Sequence, residues 1–358
     1  MARPPPCMDG RIEDGAVRVG GDARQRFYDS RGYGRPLSGD ALKLAPVEAA
    51  HLLFRGDLDA VDGMDFRAYF AHATERVERF AVRFLVYADL RGRGFYLAPP
   101  REGDDHAAEG ADLLVFPRGS GPWDDAVAYR VRVVGERASV DAAALATAAD
   151  GPDDAVLAVV DEESDITYLE LAAPEIAGSS GYDLPRTPEG AVLGDRVLCW
   201  DPPAALYESA FFGRPLSGRE GVGDDGLQLS LVEAAYLAET GSLSVDGGAA
   251  AVREHGRRVE GERFDRRLTA YTALRTAGVV PKTGFKFGAD FRTYADVESV
   301  DDLGHSEFLV RVLPADHAFA PRDLALDVRL AGGVRKEMAF ALVDGDDVTV
   351  LSVGRLTP

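Results

Sequence analysis

Phe27-Tyr28-Asp29-Ser30-Arg31-Gly32-Tyr33-Gly34-Arg35-Pro36-Leu37-Ser38-Gly39 returns 179 residues later as Leu206-Tyr207-Glu208-Ser209-Ala210-Phe211-Phe212-Gly213-Arg214-Pro215-Leu216-Ser217-Gly218. A helical segment of similar wording follows each copy, Leu44-Ala45-Pro46-Val47-Glu48-Ala49-Ala50-His51-Leu52 and Leu229-Ser230-Leu231-Val232-Glu233-Ala234-Ala235-Tyr236-Leu237. Matching stretches in the same order mark an internal duplication, and 358 residues leave room for two ordinary domains.

The matches continue. Val86 to Arg91 and Ala270 to Arg275 carry apolar residues at three- and four-residue steps, which predicts a helix in each copy. Strands are expected next, at 111–116, 128–134, 156–160 and 166–171 in the first copy and at 291–294, 307–313, 338–343 and 348–353 in the second. The last pair in each copy flanks an acidic turn, Asp161 to Asp165 or Asp344 to Asp347, as a hairpin requires. A stretch rich in Gly, Ser and Pro separates the copies. The organisation expected is a first repeat at 8–172, a linker at 173–187, an N-terminal subdomain of the second repeat at 188–262 and its C-terminal subdomain at 263–358.

The formal net charge is −20, and only four lysines occur: Lys43, Lys282, Lys286 and Lys336. An acidic, lysine-poor surface stays hydrated where salt screens charge over a few ångström, so the charge reads as salt adaptation and not as a signature of partners. Three of the four lysines nevertheless fall between Lys282 and Lys336, where a compact point charge is wanted. Cys7 and Cys199 have neither CxxC nor metal-ligand spacing. No apolar run reaches the roughly 18 residues of a membrane span, and Met1 to Pro6 is no signal peptide. A soluble, cytoplasmic protein without membrane contact is expected.

Three ordered motifs give the second copy a specific likeness: Gly278-Val279-Val280-Pro281-Lys282-Thr283-Gly284-Phe285-Lys286-Phe287-Gly288-Ala289-Asp290-Phe291-Arg292-Thr293-Tyr294, then His305-Ser306-Glu307-Phe308-Leu309-Val310-Arg311-Val312, then Val334-Arg335-Lys336. This copy resembles the catalytic repeat of the archaeal tRNA-splicing endonucleases. The resemblance covers the whole chain, because one class of that family is a homodimer of two-repeat subunits, one repeat catalytic and one degenerate. It implies an α+β fold of two tandem repeats. Each would have a small mixed α/β N-terminal subdomain and a C-terminal restriction-endonuclease-like α/β subdomain with a mixed sheet.

The family's tyrosine, histidine and lysine fall on Tyr294, His305 and Lys336, and two base-gripping arginines fall on Arg329 and Arg355. Gly332-Gly333 and Glu337 depart from the family, which often has His-Ser and a second basic residue there. Aligned on its strands, the first copy carries Phe116, Ala126 and Asp153 at the three catalytic positions, and none of them can do its counterpart's work. The turn Asp161-Glu162-Glu163-Ser164-Asp165 resembles the loop that docks into a basic pocket of the partner subunit.

Enzymes of this family cut without a metal or other cofactor. The 2'-hydroxyl beside the scissile phosphate attacks, leaving a 2',3'-cyclic phosphate and a 5'-hydroxyl. That step requires a base, an acid and positive charge on the transition state. Tyr294 suits the base if neighbouring cations stabilise its phenolate, His305 suits the acid, and Lys336 supplies the charge. Arg329 and Arg355 would sandwich an extruded base, a contact worth about 1–3 kcal/mol. The substrate implied is precursor tRNA with bulges flanking a short helix at its intron boundaries.

Taken singly, each residue has an ordinary explanation: a tyrosine at a core rim, a solvated histidine, a lysine in a loop. Arg329 has many carboxylates available to pair with, the acidic turn suits any soluble hairpin, and His317, outside the motifs, reads as structural. Two other functions remain open on sequence. One is a metal-dependent nuclease using Asp290 and Glu307 with Lys336; the other is an RNA-binding scaffold without activity.

Overall fold

The computed structural model describes residues 8–100, 110–124, 126–216, 226–297, 299–301 and 303–358. Cys7 and the Ser217-Gly218 end of the second motif copy lie outside them. The protein is α+β with mixed sheets. Among the described residues no helix is long and apolar enough to cross a membrane.

Each half begins with a five-stranded sheet of the same design. In the first its order is Arg35–Pro36, Leu42–Leu44, Ala16–Val19, Asp9–Glu13, Ala60–Val61; in the second it is Arg214–Pro215, Leu227–Ser230, Arg196–Cys199, Glu189–Leu193, Ser244–Val245. Both repeated motifs turn on a glycine, Gly34 and Gly213, at positive φ. A Cβ there would lie 2.6 Å from the Lys43 carbonyl oxygen or 2.4 Å from that of Gln228, so only glycine fits. The helices Pro46–Phe54 and Leu231–Glu239 follow. Each starts with a glutamate reaching back to the chain before it, Glu48 to the Ala45 N–H and Glu233 to the Ser230 N–H.

The remaining strands form one ten-stranded sheet in place of two. Its order is Val280–Thr283, Phe291–Tyr294, Phe308–Pro314, Glu337–Asp344, Asp347–Leu356, Ile166–Ala172, Asp154–Val160, Tyr129–Gly135, Leu113–Val115, Leu97–Ala98. Read from either end the sheet is the same, and the halves join where Ile166–Ala172 runs antiparallel to Asp347–Leu356. This pairing removes two edges that would otherwise present unpaired backbone. Asp154–Val160 and Glu337–Asp344 are almost entirely apolar, as strands buried on both faces must be. Each pairs in parallel with a strand reached through a crossover helix, Ala142–Ala149 or Pro321–Gly333. The acidic turns close antiparallel hairpins in both halves.

Three apolar cores result. Each half buries one face of its strands against its own N-terminal sheet and helices, including Phe80–Gly92 or Arg263–Thr276. The third core is shared, with Leu145, Leu157 and Leu171 from one half meeting Leu324, Phe340 and Val353 from the other. A second contact joins the halves where Val140 pairs with Phe319 and the His317 carbonyl accepts the Ala142 N–H. The His317 ring lies edge-on to Phe319 at 4.8 Å.

Residues 173–188 contain no helix or strand, yet they are seated on the second half. The N–H groups of Gly178, Ser179 and Ser180 donate to the carbonyls of Ala277, Ala295 and Gly278. A Cβ on Gly178 would stand 2.4 Å from two of those oxygens, on Ala295 and Gly278. Gly178→Val is therefore expected to lower stability by about 1–3 kcal/mol, as overpacking does. Chemical denaturation against the wild type measures it.

Candidate active site

Tyr294 ends its strand. Antiparallel pairing of Phe291 with Val310 and Arg292 with Leu309, continued two residues, brings Tyr294 level with Glu307. Beyond the paired residues the Glu307 N–H donates to the Thr293 carbonyl at 3.3 Å, a one-residue slip that leaves Tyr294 beside Ser306 and Glu307. Parallel pairing of Phe308 with Glu337 sets Lys336 level with Glu307 as well, and His305 lies two residues before it. Tyr294, His305 and Lys336 thus stand at one end of three adjacent strands, although more than 40 residues separate the first from the last.

Their surroundings differ. Tyr294 is 8% exposed, its ring edge-on to Phe211 at 5.8 Å, with the Arg292 guanidinium 5.8 Å from its centre. His305 is exposed. Lys336 is half-buried, and its Nζ donates to the Ser306 carbonyl at 2.6 Å, beside His305. Partial burial, and then the charge of Arg292, hold its pKa below the usual lysine value.

Tyr294, Arg292, Phe211 and Lys282 line a cavity of about 790 Å³ between the N-terminal sheet and the large sheet of this half. Phe211 has φ 53°, a left-handed conformation rare for a bulky side chain. The first half has Gly32 at this place in the motif, at φ 65°. Strain of order 1–3 kcal/mol at Phe211 is offset by its packing against Tyr294 and under the Lys282 ammonium, 4.8 Å from the ring centre. Lys282 donates to Glu233 at 2.8 Å and to the carbonyls of Phe211 and Gly213, tying the strand beside Tyr294 to the N-terminal sheet. Burial alone would raise the Glu233 pKa, but Lys282 and two backbone N–H groups hold it at about 2.

The first half is the same frame with other side chains at these positions. Asp112 and Asp290 occupy equivalent places, each accepting from the backbone two residues along the neighbouring strand, at Val133 and Val312. Counting from them puts Phe116 at Tyr294 and Leu114 at Arg292; the strand registers put Ala126 at His305, Asp153 at Lys336 and Ala98 at Lys282. Asp153 lies 4.0 Å from the Arg130 guanidinium.

Arg329 and Arg355 share a cavity of about 510 Å³ with Arg322, walled by Thr167 and Leu169 of the first half. Both are exposed, and among the described residues neither forms an ion pair. Arg355 pairs with Leu169, and the register Met338↔Val353, continued two residues, sets it level with Lys336. Arg322 was not singled out from sequence, although its seven-residue spacing from Arg329 places both on one helix face. Gly332 and Gly333 end that helix with open space around them.

In the acidic turn, Asp161 accepts from the N–H groups of Glu163 and Asp165 at 2.9 Å, and Glu162 pairs with Arg137. Glu163 and Asp165 are exposed at its tip. Asp290, the acid a metal-dependent nuclease would need, is already engaged: one oxygen takes Arg263 and Arg267, the other the Val312 N–H. Its twin Asp112 does the same with Arg79, Arg83 and Val133. The pair is structural in both halves.

Family models match most of the chain. A tRNA intron endonuclease N-terminal domain matches twice, at residues 8–70 and 189–254, and the catalytic C-terminal domain of tRNA intron endonuclease matches residues 264–350. A tRNA-splicing endonuclease of Haloarcula marismortui is 60% identical over 354 residues, 98% of this chain and 100% of its own. That of Natronomonas pharaonis is 61% identical over the same shares, and that of Methanosarcina mazei is 38% identical over 97% of this chain and 98% of its own.

The buried pair makes a prediction about the frame. Glu233, held below its ordinary value, contributes stability that is complete above about pH 4.5 and is lost as pH falls toward 2. Lys282→Ala leaves that carboxylate buried without its cation and is expected to cost about 3–5 kcal/mol near neutral pH. The deficit should shrink below pH 4 as Glu233 takes a proton. The first half shows that such a site folds: Glu48 has Ala98 in place of the lysine, and burial raises its pKa. Denaturation at several pH values measures the difference.

Proposed function

The chain belongs to the tRNA-splicing endonuclease family, and we propose that it removes precursor-tRNA introns by cutting at bulge-helix-bulge boundaries through metal-independent attack of the 2'-hydroxyl. Tyr294 takes the proton of the 2'-hydroxyl, His305 protonates the departing 5'-oxygen, and Lys336 neutralises charge that grows on the phosphate oxygens. The products carry 2',3'-cyclic phosphate and 5'-hydroxyl ends. Arg329 and Arg355 grip an extruded base between guanidinium planes.

The observation that carries this reading is the row of Tyr294, Glu307 and Lys336 across adjacent strands, with His305 at its edge. The same frame is empty of such groups where Phe116, Ala126 and Asp153 stand. On this reading residues 8–172 are a degenerate structural repeat, 173–187 a linker, and 188–262 and 263–358 the two subdomains of the catalytic repeat, the last with a restriction-endonuclease-like core. The functional unit is a homodimer in which Asp161, Glu162, Glu163 and Asp165 face a basic pocket of the second copy. The setting is the cytoplasm. The engaged state of Asp290 favours this chemistry over a metal-dependent cut that would use it.

Incubation of the full chain in high salt and EDTA with intron-containing precursor tRNA is expected to give exons with 5'-hydroxyl ends; 5'-phosphate ends would refute the mechanism. His305→Ala should abolish cleavage and leave RNA binding largely intact. An inactive scaffold would show no difference between the two proteins.

Lys336 adds a pH signature. Its lowered pKa means that it loses charge at a lower pH than a free lysine, so cleavage should decline on the alkaline side earlier than 10.5. Lys336→Arg, which stays charged, should move that decline upward in pH–rate profiles of single-turnover cleavage.

A further inference from the structure

Some arginines in this part of the chain are paired with carboxylates. Arg267 meets Glu260 and Asp290, Arg263 meets Asp290, and Arg311 meets Asp327. Arg292 differs. Among the described residues it has no ion pair and no hydrogen bond, and its Nε is buried without a partner. In a chain with 60 acidic residues, that is an unusual state for a half-buried guanidinium.

Its surroundings are also cationic. Arg292 pairs across the strands with Lys282, lines the cavity beside the Tyr294 ring, and lies close enough to Lys282 and Lys336 for its charge to depress both. The buried carboxylate in this wall, Glu233, is already taken by Lys282. Of the other carboxylates lining the cavity, Asp195 is held by Arg196 and Asp301 forms no ion pair among the described residues; an anion entering between the cations relieves their mutual repulsion.

The duplicate half separates frame from chemistry. Residues that hold the frame persist there, with Asp112 for Asp290 and Glu48 for Glu233. Arg292 is replaced by Leu114, buried at 6% exposure, alongside the replacement of Tyr294, His305 and Lys336. Arg292 varies with the reacting groups and not with the scaffold.

We propose that Arg292 is a further catalytic residue, its guanidinium contacting a non-bridging oxygen of the scissile phosphate beside Lys336. This rests on the cleavage reaction proposed above. As the 2'-oxygen bonds to phosphorus and the bond to the 5'-oxygen breaks, negative charge accumulates on those oxygens. A forked donor held by its strand meets that charge without having to reorganise.

Single-turnover cleavage of a bulge-helix-bulge RNA in EDTA, with either sulphur diastereomer at the scissile phosphate, tests this in the full-length wild type, Arg292→Leu and Arg292→Lys. Arg292→Leu should slow cleavage about 100- to 1,000-fold, the loss typical of one transition-state donor, while affinity for a 2'-deoxy-blocked RNA changes little. One sulphur diastereomer should slow the wild type, and that discrimination should vanish in Arg292→Leu and return in part in Arg292→Lys. Cleavage by Arg292→Leu within about threefold of wild type, against the expected loss, overturns the proposal. So does slowing with the sulphur discrimination intact, which would mean that Arg292 acts only by packing against Tyr294. A wild type that leaves the RNA uncut would instead refute the cleavage reading itself, and this proposal with it.

Discussion

The whole molecule depends on one backbone pairing, the antiparallel ladder between Ile166–Ala172 and Asp347–Leu356. Leu171 faces Val353 across it, and these two residues hold equivalent places in their own hairpins, so an approximate two-fold axis passes between them. Val140 and Phe319, another equivalent pair, meet in the second contact between the halves. Two half-sheets with exposed edges become one sheet with a common core on the face covered by Ala142–Ala149 and Pro321–Gly333. Because Leu169 and Thr167 wall the cavity of Arg329 and Arg355, the half that lacks counterparts of Tyr294, His305 and Lys336 still shapes that surface.

Duplication lets this molecule separate what a fold needs from what a reaction needs. The buried carboxylates Asp112 and Asp290 gather arginines from the start of the preceding helix and fix the neighbouring strand; both halves keep them. Glu48 and Glu233 organise the motif turn and the helix start in both. Differences concentrate at the sheet end and cavity around Tyr294: Gly32 against Phe211, Ala98 against Lys282, Leu114 against Arg292. A strained phenylalanine and a buried lysine are destabilising choices that the first half avoids. Their persistence in the second half is understandable where they hold a tyrosine and shape a cationic cavity.

Much of this was legible in the sequence, because local signals carry it. The strands and hairpins follow from alternating or continuous apolar runs closed by acidic turns, and the helices from three- and four-residue periodicity. The ordered motifs around Tyr294, His305 and Lys336 pointed to the family, and strand counting correctly set Phe116, Ala126 and Asp153 opposite them. What escaped were properties that no local pattern encodes. Nothing in Ile166–Ala172 says that its free edge will meet Asp347–Leu356, since edge pairing between distant strands depends on two surfaces at once. Arg292 looked like one arginine among many in an acidic chain, and its place unpaired in the cavity wall beside Tyr294 is visible only in the fold. The strain at Phe211 is a backbone fact that its residue type conceals. Residues 173–188 read as a spacer from composition, yet their N–H groups are spent on the second half.

Charge placement follows from the same arrangement. A chain with net charge −20 repels a polyanion at long range, and in concentrated salt that repulsion is screened together with any long-range attraction. Contacts made at short range, with water excluded, are weakened least. A few cations lie in or beside such places: Lys336 half-buried against the Ser306 carbonyl, Arg292 in a cavity wall, and the exposed Arg329 and Arg355 at the lining of a shared cavity. On the proposed reading, salt adaptation and RNA cleavage do not compete for the same residues. The acidic surface keeps the protein soluble, while recognition is left to stacking, shape and a few cations held in the cavity walls.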